Sequence, residues 1–81
     1  MTNTKQLNNL ARLLATALDT YNDARNDDYG RFVLGHFGDE YEVQYSPYEI
    51  GEPLVTTLVL KSDSDFVQAI KDVTTAIAEA L

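Results

Sequence analysis

The sequence predicts an α+β fold: one small domain of order α-β-β-β-α, with a three-stranded antiparallel meander and two helices packed on one face. Apolar residues recur at spacings of three and four near both ends of the chain, alternate with period two in the middle, and are separated by clusters of turn-forming residues. With 81 residues, positions 1–81 make a single domain. A core of that size contributes only about 3–5 kcal/mol of net stability, and the absence of cysteine removes disulfides and thiolate metal sites as supplements.

Residues 5–26 read as an amphipathic helix, because Leu7, Leu10, Leu14, Ala17 with Leu18, and Tyr21 share one face. Thr4 is the expected N-cap, its hydroxyl accepting from a backbone N–H of the first turn. "NDDYG" stops the helix: Asn and Asp bond locally to the backbone, and Gly30 accommodates a positive φ.

"FVLGHFGDEYEVQY", residues 32–45, alternates as a hairpin. Gly38-Asp39 suits a two-residue turn of the II′ type. Counting outward from it sets His36 opposite Tyr41, Leu34 opposite Val43 and Phe32 opposite Tyr45 on one face. Arg31, Val33, Gly35 and Phe37 take the other face, beside Glu40, Glu42 and Gln44. Gly35, inside a strand, is expected to mark a bulge. "SPYEIGEP", residues 46–53, is a loop. "LVTTLVLK" is a β-branched strand with Leu54, Thr56, Leu58 and Leu60 on one face and Val55, Thr57, Val59 and Lys61 on the other.

Ser62 and Asp65 form a variant capping box. It opens a helix whose stripe is Phe66, Ile70, Val73, Ile77 and Ala80 with Leu81.

Two helices cover one face of a small sheet. The face with Phe32, Leu34, Val43, Tyr45, Leu54, Leu58 and Leu60 is the expected core. Val33, Phe37, Val55 and Val59 then lie on the opposite face, rimmed by Glu40 and Glu42. An uncovered antiparallel face is usually polar, and this one is half apolar. It is therefore the first candidate for partner binding. The second is the loop carrying Tyr48, Glu49, Ile50 and Glu52, since tyrosine combines a large rigid contact area with a polar tip.

The net charge of −7 and the scattered six lysines and arginines argue against direct binding to nucleic acid or an anionic membrane. The acidity either maintains solubility or draws a partner with a basic surface. No stretch approaches the roughly 18–20 apolar residues that span a bilayer. "LARLLATAL" runs into Asp19 where a signal peptide would carry a small-residue cleavage site. A cytoplasmic protein is the expectation.

No catalytic, cofactor or metal signature stands out. His36, the single histidine, is expected on the core face as a half-buried, hydrogen-bonded ring beside Tyr41, without the oriented partner that acid–base chemistry needs. "NDDYG" and "SDSD" miss the spacing of a calcium loop, and Asp63 and Asp65 suit a helix N-terminus. The glycines do not gather into a phosphate-binding turn.

The expected function is that of a non-enzymatic protein-interaction module, a small acidic inhibitor or adaptor of phage or mobile-element type that occludes a partner surface. Alternatives are a small metal- or metabolite-binding domain, a structural homodimer, and a nucleic-acid-mimicking inhibitor. The inferred element order also resembles the first part of the small acidic chaperones that dimerise and hold bacterial secretion substrates. That resemblance is one of topology without a shared motif, and these 81 residues are not expected to supply the further strands and helix of such chaperones.

Overall fold

The computed structural model describes residues 4–38 and 40–81. The chain runs α1 (Thr4–Arg25), β1 (Gly30–Phe37), β2 (Glu40–Pro47), β3 (Val55–Leu60) and α2 (Asp63–Ala80). The strands form one antiparallel sheet in the order β1-β2-β3, so the expected α-β-β-β-α meander is what forms. No helix among the described residues is long and apolar enough to cross a membrane.

α1 begins at Thr4; the capping role expected of that side chain lies outside the described residues. At the other end Asn26 has φ 50° and its N–H donates to the Asn22 carbonyl at 3.0 Å, a left-handed helix stop. Asp27 Oδ1 then accepts from the Tyr29 N–H at 2.8 Å. Asn26, not Gly30, thus takes the positive φ. Gly30 opens β1 for a different reason: a Cβ there would lie 2.7 Å from the Ser46 carbonyl oxygen and 2.7 Å from the Tyr45 ring.

The hairpin register is the expected one throughout, with Phe32 opposite Tyr45, Leu34 opposite Val43, His36 opposite Tyr41 and Phe37 opposite Glu40. Gly38 has φ 59°, and Asp39 lies outside the described residues. Pairing is unbroken at Gly35, which faces Glu42, so no bulge occurs there. The missing side chain instead makes room for the Phe37 ring and the Gln44 amide, each 2.7 Å from where a Cβ would sit.

The bulge lies in β3. Val43 faces Leu58, but Gln44 faces Thr56 and Tyr45 faces Val55. Thr57 is the extra residue, its hydroxyl donating to the Val43 carbonyl at 2.9 Å. An extra residue reverses the alternation beyond it. Val55 therefore leaves the open face and joins Tyr45 on the helix side, while Thr56 moves to the open face and donates to Glu42 at 2.6 Å.

The core is Ala11, Leu14, Leu18, Val43, Leu60, Phe66 and Ala69, with Leu7, Leu10, Phe32, Leu34, Tyr41, Ile70 and Val73 packed around it. Both helical stripes thus meet the same face of the sheet. The capping box of α2 is complete: Ser62 Oγ accepts from the Asp65 N–H at 3.4 Å and Asp65 Oδ2 accepts from the Ser62 N–H at 3.1 Å. Tyr41 joins the layers, its ring 5.3 Å from that of Phe66. His36 stacks on the outer side of Tyr41 at 4.1 Å and is exposed rather than half-buried.

Candidate interaction surface

Cover over β3 stops at its C-terminal end. Leu60 is 1 % exposed, whereas Leu58 is 43 %, Val59 39 %, Val55 51 % and the preceding Leu54 52 % exposed. Leu54 and Leu58 were expected in the core and are not part of it. α1 approaches β1 and packs along α2, leaving the N-terminal half of β3 uncovered on the helix side as well as on the open side. The segment from Leu54 to Leu60 contains no charge, glycine or proline. It is also an edge strand, hydrogen-bonded among the described residues to β2 alone.

The opposite edge is treated differently. On β1, the Asn22 side chain donates to the Phe32 carbonyl at 2.8 Å and accepts from the Phe32 N–H at 2.9 Å. An amide presented in this way satisfies the backbone as a neighbouring strand would. It therefore blocks that edge at Phe32 against another chain.

The open sheet face is less continuous than the sequence suggests. Val33 faces Gln44 on β2, and Val59 faces Glu42. The middle strand thus contributes a polar row of Glu40, Glu42 and Gln44 between the apolar residues of β1 and β3. The acids are also engaged. Glu42 accepts from Thr56, and Glu40 Oε1 lies 3.9 Å from Lys61 Nζ. Phe37 is exposed, its ring resting over Gly35.

The loop candidates form a separate surface. Tyr48 lies beyond the end of β2 remote from the Gly38 turn, about 27 Å from Glu40 at ~3.4 Å per residue. Tyr48, Glu49, Ile50 and Glu52 are all exposed. Glu52 N–H donates to the Glu49 carbonyl at 3.3 Å, with Gly51 at φ 91°, as a type II turn requires. Tyr48, Glu49 and Glu52 line an open cleft of about 670 Å³ with Asp28, Tyr29, Tyr45 and Pro47.

Tyr45 ties that cleft to the fold. Its hydroxyl donates to Asp27 Oδ2 at 3.1 Å, which also accepts from Arg25 Nη2 at 2.6 Å. The guanidinium carbon of Arg25 lies 5.3 Å from the centre of the Tyr21 ring and 5.1 Å from that of Phe32. The Tyr29 N–H, helped by the Tyr45 hydroxyl and Arg25, holds the Asp27 carboxyl below the usual aspartate range against the opposing pull of desolvation. Desolvation, then the bond to Asp27, pushes the Tyr45 phenol up.

The candidate residues therefore do not form one site. The structure separates Val33 and Phe37 from Val59, sends Val55 to the other face, and places the tyrosine loop at the far end of the hairpin. Sequence reasoning missed Leu54 and Leu58. Nothing in "LVTTLVLK" marks the bulge at Thr57 that redistributes the strand. Among the described residues no three His, Cys, Asp or Glu side chains converge as a metal site would require. Compared with known protein families, curated proteins and solved structures, the chain matches none.

Proposed function

We propose that this chain is a non-enzymatic protein-interaction module that binds through β3, working by occlusion as a small inhibitor or adaptor. The observation that carries this reading is the contrast between the two edges of the sheet. β1 is capped at Phe32 by Asn22, while β3 presents an uncharged row of Leu, Val and Thr exposed on both faces. An edge of that kind is a template for strand addition, in which main-chain bonds supply affinity and alternate side chains supply specificity. The acidic remainder of the chain opposes indiscriminate aggregation.

The test is capture of partners from a native extract by the wild-type chain and by Val59→Lys, in parallel with circular dichroism. The introduced lysine faces Glu42 at an exposed position, and the circular dichroism spectrum is expected to be unchanged. The interaction reading requires that capture depend on β3 and be lost in the variant. Equal capture by both chains would remove β3 from the binding surface.

A further inference from the structure

We infer that β3 pairs with β3 of a second copy of this chain, antiparallel and in one definable register. This rests on the reading of β3 as the binding edge and names its occupant. Two antiparallel strands related by a twofold axis are related by one perpendicular to the sheet, so each face stays on its own side. Residues directly opposite one another must then belong to the same face.

In an unbroken strand that condition pairs residues separated by an even number of positions. The bulge changes it. On the N-terminal side of Thr57, Val55 lies on the helix side and Thr56 on the open side. On the C-terminal side, Leu58 and Leu60 lie on the helix side and Val59 on the open side. By alternation Leu54 and Lys61 fall on the open side. A partner residue drawn from across the bulge matches in face only when the separation is odd.

One such register satisfies both faces. It sets Val55 against Leu58 on the helix side and Leu54 against Val59 on the open side, each pair occurring twice. These are the four large apolar residues of β3 and the position before it that one chain leaves exposed. The same register brings Glu52 opposite Lys61 at both ends, so the only charges beside the apolar segment are complementary. Shifting so that Val55 meets Leu60 requires a residue already buried and sets Leu54 against Lys61. Shifting so that Val55 meets Thr56 opposes residues of different faces and sets Val59 against Glu52. The bulge, usually a device that blunts an edge, here makes the strand complementary to itself. Pairing yields one six-stranded sheet with all four helices on one side, and the β1 edges capped by Asn22 lie at its outer limits.

The chain has no cysteine, so introduced thiols report the register directly. Leu54→Cys and Val59→Cys, mixed and mildly oxidised, are expected to give a disulfide-linked dimer that neither variant gives alone. In the stated register the two copies of residue 54 are too far apart to bridge. Val55→Cys mixed with Leu58→Cys is the companion pair. Neighbouring antiparallel pairs alternate between wide and close spacing, so one of the two has its Cβ atoms close. Cross-linking in either mixture, absent from the single variants, supports the proposal. Cross-linking of single variants to themselves overturns the register. A monomer at all concentrations overturns the second copy as occupant. If β3-dependent capture of a different protein persists in that case, the interaction reading stands without the dimer; if it too is absent, both fall.

Discussion

Asn22 holds both backbone groups of Phe32, its amide nitrogen donating to the carbonyl at 2.8 Å and its amide oxygen accepting from the N–H at 2.9 Å. One helix side chain thereby closes the β1 edge at Phe32 and ties α1 to that strand. The consequence is directional. A sheet with one edge obstructed binds more readily through the other, and in this chain that is the strand with the least cover.

Replacing Asn22 with Ala leaves the Phe32 groups unpaired at a partly buried site. At about 0.5–1.5 kcal/mol per net hydrogen bond, the expected loss is about 1–3 kcal/mol. It is read as a lower urea midpoint with an unchanged m-value. No change in the midpoint would show that water replaces the side chain at no cost.

The two strand glycines are expected to differ. A Cβ at Gly30 meets a backbone oxygen, the Ser46 carbonyl, at 2.7 Å, whereas a Cβ at Gly35 meets only the Gln44 amide and the Phe37 ring. The carbonyl can yield only by moving β2, while those side chains can turn aside. Gly30→Ala should therefore cost on the order of 1–3 kcal/mol, in the range for overpacking, and Gly35→Ala less. Thermal melts of both variants check the order, and a larger loss at Gly35 would contradict it.

Much of this architecture is legible in the residues. The turn signal "GD" in the sequence sets Phe37 against Glu40, as observed, and with a period of two the whole register follows. Ser62 and Asp65 announce α2 because their reciprocal bonds are local. What escapes is tertiary. "LVTTLVLK" is equally apolar at odd and even positions, so its pattern does not reveal which residue is extra. Gly35 seemed to mark the bulge because glycine often does, yet it serves packing by Phe37 and Gln44. Leu54 and Leu58 look like core residues. Only the placement of α1 over β1 shows that no helix reaches them.

The Asp27–Tyr45 bond predicts two pH effects of defined sign. Asp27 has a folded pKa below its ordinary 3.8. The stability it contributes is present above that value and is lost as pH falls through the lower folded pKa. Tyr45 has a folded pKa above its ordinary 10.0, so its contribution is present below pH 10 and is lost as pH rises through the folded value. Tyr45→Phe should flatten the alkaline limb of the midpoint against pH, and Asp27→Asn should reduce the acid limb. Asp65, lowered chiefly by the Lys61 N–H and also by Ser62, keeps part of the acid limb in the Asp27 variant. An alkaline limb unchanged in Tyr45→Phe would contradict the assignment.

The most direct measurement is molar mass in solution by light scattering behind a sizing column, across a tenfold range of concentration, for the wild-type chain and Val59→Lys side by side. Pairing through β3 predicts twice the chain mass for the wild type, falling toward the single-chain mass on dilution, and a folded monomer for the variant. A wild type that stays monomeric throughout, or a variant that dimerises as well as the wild type, would contradict it.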